Sequence, residues 1–261
     1  MTSDDIKSMN LEEVKSVCKS LNLPSYRASQ IFSWLQKEGV SDYDEMTNIP
    51  KSLRQTLSEN YPIRSCEIEL KRVSKTDGTV KYLFKLYDGN FIESVLMKYK
   101  YGYTLCISSQ VGCKMGCMFC ASTKGGCVRN LTAGEMLSQI HAAQRDMNVR
   151  VSHVVMMGMG EPLDNFENAM KFLSLVGDEN GLNLGMRNIS LSTCGIVPKI
   201  YELMDKELQI TLSVSLHAPE DELRSKIMPI NRKYHLEELI EACKKYTKKT
   251  SRRISFEYAM I

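Results

Sequence analysis

The sequence predicts an α/β fold in which strands and helices alternate and close, partly or fully, into a barrel, behind a small helical unit and a β-hairpin extension. Three observations predict it. Residues 1–62 carry apolar side chains at helical spacing, and residues 63–98 alternate with a period of two. From residue 99 to residue 261 strand-like runs alternate with helical ones, a pattern that pairs strands in parallel through right-handed crossovers.

In the first unit Leu11, Val14, Val17, Cys18 and Leu21 share a helical face, which makes Cys18 a core residue. Pro24 ends that helix, and a second runs from Tyr26 through Leu35 to a stop at Gly39. A third starts at Asn48-Ile49-Pro50-Lys51, where proline suits a first turn. Lys19, Arg27, Lys37, Lys51 and Arg54 leave two readings open for this unit, a nucleic-acid-binding appendage or a solvated bundle.

The extension pairs Glu67–Leu70 with Val80–Leu86 across Thr76-Asp77-Gly78, and Asp88-Gly89 turns the chain into Phe91–Met97. Glu93 in that last strand either points to solvent by alternation or faces a cavity, where burial would raise its pKa toward base duty. The barrel strands are then expected at Thr104–Ser109, Val151–Met157, Asn188–Thr193, Ile210–His217 and Ile254–Met260. Helices are expected from the capping box Thr132-Ala133-Gly134-Glu135 toward Met147, over Phe166–Val176, near Pro198–Met204, and from His235 to about Lys248. A parallel strand normally leads into a helix, so an end at Ile261, inside the fifth core strand, reads as an incomplete domain.

Composition narrows the class. Of 261 residues 43% are hydrophobic and 25% charged, ordinary values for a globular protein, and the net charge of +3 permits an acidic partner without demanding one. No run approaches a membrane span and the polar N-terminus is no signal peptide, so a cytoplasmic home is expected. Nine cysteines in such a chain point to metal or redox chemistry before disulfides.

Cys113, Cys117 and Cys120 stand at C-x3-C-x2-C spacing among Gly112, Gly116, Gly125 and Gly126. Thiolates select iron–sulfur clusters, zinc or copper(I), and three instead of four would leave one iron of a cubane open to a substrate. The competing reading is a buried helical stripe of cysteines. In a β/α barrel the active site lies at the C-terminal strand ends, and the cysteine loop falls there together with Gly158-Met159-Gly160-Glu161-Pro162, Ser192, and Ser215 with His217. Pro162 spoils a dinucleotide fingerprint at Gly158–Glu161. Cys243 has core spacing, Cys127 and Cys194 have no assignment, and Lys244, Lys245, Lys248, Lys249, Arg252 and Arg253 could bind phosphates or be solvated.

The cysteine loop resembles that of the radical S-adenosylmethionine (SAM) superfamily. The string Cys106–Cys113, with Gly158–Leu163, Leu191-Ser192-Thr193-Cys194-Gly195, Ser213–Ala218 and Met228-Pro229-Ile230-Asn231, is similar to the RlmN/Cfr family of radical SAM RNA adenine methyltransferases. The resemblance covers essentially the whole chain. It implies a partial (β/α)6 radical SAM barrel, here stopping at the fifth core strand, with an RNA-binding helical appendage. It implies a 4Fe–4S cluster on Cys113, Cys117 and Cys120, with SAM held by Gly160, Glu161, Ser192, Ser215, Leu216 and His217. Glu93 matches the family's general base, and Cys106 the cysteine that resolves the covalent enzyme–RNA intermediate.

Two SAM molecules per turnover are implied, one methylating a C-terminal cysteine and one yielding a 5′-deoxyadenosyl radical. The implied substrates are large-subunit rRNA and tRNA beside the anticodon, methylated at carbon 2 of adenine. An electron donor such as flavodoxin or ferredoxin and a monomeric state accompany them. Carbon 8 as the target, another radical SAM enzyme, and an electron-transfer or RNA-binding iron–sulfur protein are the alternatives. The family's methyl-carrying cysteine and a cofactor-contacting asparagine lie beyond Ile261, so the 261-residue chain is expected to bind cluster and SAM without completing methyl transfer.

Overall fold

The computed structural model describes residues 5–260. Helix α1 (Leu11–Ser20) opens on a capping box in which Asn10 and Glu13 each accept the other's backbone N–H, and it buries Val14, Val17 and Cys18. Helix α2 (Tyr26–Ser33) follows Pro24, and α3 (Lys51–Asn60) follows Pro50. The second helix does not run regularly to Gly39 as its sequence suggests. It widens into a π turn over Trp34–Glu38, which turns Gln36 inward, where its side-chain amide donates to the carbonyl of Lys7 at 2.8 Å. Gly39 then takes φ +67°, and a Cβ there would strike the ring of His141.

Among the described residues ten strands follow, eight of them in one sheet. Strands β1 (Glu67–Val73), β2 (Val80–Lys85), β3 (Phe91–Tyr99) and β4 (Gly102–Cys106) form an antiparallel meander. Strand β1 is exposed along its whole length, an edge strand whose alternation buries no face fully. The short β5 (Gln110–Gly112) and β6 (Cys127–Asn130) pair as a separate ribbon whose brevity hid it from sequence reading. Strands β7 (Val151–Met156), β8 (Ile189–Thr193), β9 (Thr211–Ser215) and β10 (Ile254–Glu257) continue the large sheet beyond β4, all parallel to it. Between them lie α4 (Ala133–Met147), α5 (Phe166–Val176), α6 (Val197–Asp205), α7 (Asp221–Ile227) and α8 (Leu236–Thr250). This is a partial β/α barrel of five parallel strands with a helical N-terminal unit and an antiparallel extension of the same sheet. Helix α7 is the one helix the sequence pattern does not announce.

The two faces of the parallel strands differ as alternation requires. Leu105, Val154, Met156, Ile189, Leu191, Leu212 and Val214 are buried beneath the helices. The strand register places Cys106, Val155, Ser190, Ser192, Thr211, Ser213, Ser215 and Glu257 on the opposite, concave face. A single hydrophobic core joins the helical unit to the barrel. Where α4 begins, Thr132 donates to Asp5 at 2.9 Å and the Gly134 amide to Ser8 at 2.8 Å. The fully buried Gln139 of α4 accepts from Ser94 and from the Ser108 amide and donates to the Ser108 carbonyl, at 2.7 to 2.9 Å. That one amide fixes β3 at Ser94 against the point where the chain leaves β4 for the cysteine loop.

Candidate active site

The cysteine loop hangs between β5 and β6. Its residues form turns and bends, and only Ala121–Thr123 makes a short helical turn, so the reading as a buried helical stripe is set aside. The Cys113 amide donates to Gly126 at 2.9 Å and the Met118 amide to Ile227 at 2.9 Å, which pins the loop to the ribbon at one end and to the C-terminus of α7 at the other. Cys113 and Cys117 are buried, Cys120 is half-buried, and all nine cysteines are free thiols.

Burial first, then the nearby Glu161 and the other loop sulfurs, push the Cys113 and Cys117 thiols up to about 11. Sulfurs close enough to repel one another as thiolates are a donor set that a cation would stabilise and deprotonate. Among the described residues no three histidine, cysteine, aspartate or glutamate side chains converge tightly enough to hold an ion as they stand. The residue types, their spacing and their burial fit an iron–sulfur cluster. The loop would draw its three sulfurs together around one.

Next to it, Gly158–Glu161 follows β7. Gly160 has φ +104°, and a Cβ there would lie 2.6 Å from Cβ of Gln110, so the loop packs backbone to backbone on the chain leading into β5. Glu161 is buried, and its carboxylate turns inward, accepting the amides of Leu163 at 3.0 Å and Cys194 at 2.7 Å. Desolvation raises its pKa, and these amides with the hydroxyl of Thr193 oppose the rise. In this conformation it joins the loops after β7 and β8 and does not point into the mouth.

The concave rim holds the other expected residues. Ser192 and Ser215 both donate to Oε2 of Glu257, each at 3.3 Å. The Leu216 and His217 amides donate to the Glu257 carbonyl at 3.0 and 3.1 Å. His217 sits at φ +54°, its Nδ1 accepts the Ala259 amide at 3.0 Å, and its ring meets Phe119 of the cysteine loop edge-on at 4.6 Å. A backbone donor at Nδ1 assigns the neutral tautomer with its proton on Nε2, and burial lowers the pKa in the same sense.

Cys106 closes β4 on this face, with burial pushing its thiol up to about 11 and the Glu257 carboxylate adding to the shift. Strand pairing sets Val95 opposite Cys106, and Glu93, two residues earlier, shares that face at the mouth. Glu93 is exposed and paired with Lys81 at 2.8 Å, the solvent-facing alternative of the two its sequence allowed.

Two expected features lie elsewhere. The basic run at the end of α8 precedes β10, so it sits at the N-terminal strand ends, away from the mouth, and Lys249 is tied to Asp205 at 2.6 Å. Of the charges in the helical unit, Arg54 pairs with Asp44 at 3.1 Å and Arg27 donates to Gln30 and Asn48, while Lys19, Lys37 and Lys51 are exposed. Three residues escaped sequence reasoning. Glu257 was detectable, because parity along β10 puts it on the face of Ser213 and Ser215. Buried Gln110 and Arg224 carried no such signal.

The chain matches the model of the radical SAM superfamily over residues 107–261 and that of the ribosomal RNA large subunit methyltransferase N-terminal domain over residues 5–63. It is 52% identical over 257 residues to a probable dual-specificity RNA methyltransferase RlmN of Clostridium novyi (strain NT), covering 98% of this chain and 75% of that protein. It belongs to the RlmN family of radical SAM RNA methyltransferases.

A second relative of the same description, from Clostridium botulinum (strain Eklund 17B / Type B), is 56% identical over 98% of this chain and 74% of its own length. The crystal structure of a radical SAM methyltransferase from Sphaerobacter thermophilus superposes with a TM-score of 0.92 at 44% identity, covering 97% of this chain and 75% of that one. The chain thus spans about three quarters of the length of these family members. Membership implies a 4Fe–4S cluster and SAM. Among the described residues no helix is long and apolar enough to cross a membrane.

Proposed function

We propose that the protein methylates carbon 2 of an adenosine in large-subunit rRNA and in tRNA beside the anticodon, consuming two SAM molecules per turnover. The observation that supports this most is the meeting, at one barrel mouth, of the cysteine loop, the Gly158–Glu161 turn, the Ser192–Ser215–Glu257 set and Cys106. The relatives' description as dual-specificity RNA methyltransferases supports the pair of RNA substrates.

In this reading Cys113, Cys117 and Cys120 hold the cluster, and Gly160, Glu161, Ser192, Ser215, Leu216 and His217 line the place of SAM. Bound cluster and SAM supply the one-electron chemistry that a carbon without nucleophilic character requires. The residues present in this chain contribute binding, orientation and proton transfer. Glu161 fixes two rim loops beside the cysteine loop, and the fixed hydroxyls of Ser192 and Ser215 orient polar groups of the cofactor. Glu93 would take a proton from the adenine, and Cys106, as a thiolate, would attack the sulfur of the family's methyl-carrying cysteine, forming an S–S bond as the bond from that sulfur to the transferred carbon breaks and that carbon takes up a proton. The target base must be unstacked to reach the mouth, which favours loops and other accessible RNA.

Residues 1–62 act as an RNA-binding appendage, 63–98 as an extension of the sheet and 99–261 as the barrel core. A flavodoxin or ferredoxin supplies electrons, and the protein works as a cytoplasmic monomer.

The test is mass spectrometry of RNA treated anaerobically with the protein as its gene encodes it, SAM and a reductant. Methylation at carbon 2 of adenine is expected, and a Cys106→Ala variant should trap a covalent protein–RNA adduct. Methylation at carbon 8 would replace the assigned position. Absence of any adduct would remove Cys106 from its role.

A further inference from the structure

Arg224 is fully buried, and it is the bulkiest of the side chains that are. Its guanidinium donates to four oxygens: the carbonyls of Leu216 at 3.2 Å, Cys194 at 2.8 Å and Ser215 at 2.9 Å, and the side-chain oxygen of Asn231 at 2.7 Å. All four acceptors are neutral. Among the described residues no carboxylate accepts directly from it: Glu161 is reached through the backbone of Cys194, Glu257 through Ser215, and Asp221 through Asn231, whose amide donates to Asp221 at 2.9 Å. That carboxylate also takes the amide of Leu236 and faces His235. A buried cation without an anion in contact is costly, and proteins rarely keep one that nothing compensates.

The position of this charge indicates what would compensate it. The residue whose carbonyl it grips, Cys194, packs its own side chain against Cys117 and Met228 in a small apolar cluster. The helix that carries Arg224 ends at Ile227, whose carbonyl holds the Met118 amide of the cysteine loop. The guanidinium therefore lies one layer behind Cys117.

We propose that Arg224 is the built-in counter-cation of the iron–sulfur cluster on the cysteine loop, and that it sets how readily the cluster accepts an electron. The proposal rests on the functional reading given above. The electron comes from the donor protein and increases the negative charge of a cluster already bound by three thiolates. A fixed buried cation nearby stabilises the reduced form more than the oxidised one, and a low local dielectric strengthens the effect. With four of its five N–H groups committed to neutral oxygens, Arg224 acts on the cluster through its charge and is a positioning and tuning residue. The Met228–Asn231 stretch acquires a physical role as well: Asn231 orients the guanidinium, and Met228 packs beside Cys117 and Cys194.

The experiment is a redox titration of the reconstituted protein, with iron and sulfide analysis and thermal melting, on wild type, Arg224→Lys, Arg224→Gln and Arg224→Met. The neutral variants are expected to shift the reduction equilibrium toward the oxidised cluster by about tenfold or more, ~59 mV for one electron, with the lysine variant within about threefold of wild type. A neutral variant that keeps its irons and titrates with wild type overturns the proposal, as does a lysine variant that shifts as far as glutamine. If both neutral variants unfold already without iron while the lysine variant stays folded, the cation serves the fold itself and the proposal falls. A wild-type protein that assembles no cluster would instead overturn the functional reading, and this inference with it.

Discussion

Glu257 on β10 and Glu161 after β7 are two carboxylates of one rim, and their neighbours give them different work. Glu161 is sealed inside and satisfied by backbone amides, which makes it a clamp between loops. Glu257 is only half-buried and gathers the hydroxyls of Ser192 and Ser215, which leaves it able to organise a ligand. Glu257→Ala should therefore weaken SAM binding by about tenfold, the loss of roughly one charge-assisted hydrogen bond, measured by equilibrium dialysis on the reconstituted protein. An unchanged affinity would confine Glu257 to holding β10 in place. Glu257 is also a residue the sequence offered and a first reading passes over, because its partners become neighbours only once the parallel register of β8, β9 and β10 is known. Arg224 was less legible still. It sits in Asp221-Glu222-Leu223-Arg224-Ser225-Lys226, a mixed-charge run that reads as a solvated helix, and nothing local betrays that one of these charges is sealed inside.

At the scale of elements, the docking of the helical unit on α4 turns on His141. Its Nε2 donates to the carbonyl of Gln36 at 3.1 Å, its Nδ1 is buried without a partner, and Gly39 leaves room for its ring. Burial first, with the Lys7 ammonium, holds its pKa well below the ordinary 6.5. The unfolded chain gains a proton near 6.5 that the folded chain refuses. Stability is therefore lost as pH falls below 6.5, by up to about 1.4 kcal/mol per pH unit. Denaturant midpoints between pH 5 and 8 should show this slope in wild type and lack it in His141→Gln, which can still donate to Gln36. Equal slopes in both would assign the acid sensitivity to other groups. The same junction explains a limit of sequence reading. Apolar periodicity located α1 and the Thr132–Glu135 motif located the start of α4, but the π turn at Trp34–Glu38 is imposed by tertiary packing around Gln36, Gly39 and His141 and has no local signature.

For the molecule as a whole, the parallel pairing of the barrel strands and the place of the cysteine loop were readable because both rest on strong local signals. Alternating strand and helix patterns fix the crossovers, and thiols among glycines mark a ligand loop. What was not readable is how the antiparallel extension and the barrel share one eight-stranded sheet, which carries the concave face from Glu93 through Cys106 to Glu257. That continuity places a base candidate and a thiol candidate beside the cofactor rim, and it depends on pairings between residues far apart in the chain. The central claim is that the loop at this mouth holds a cluster with an iron open to SAM. Electron paramagnetic resonance of the anaerobically reconstituted, reduced protein tests it most directly, recorded with and without SAM. The account predicts about four irons per chain, a spectrum that changes when SAM is added, and loss of the signal in Cys113→Ala, Cys117→Ala or Cys120→Ala. A cluster spectrum indifferent to SAM, or one that survives removal of all three cysteines, would contradict it.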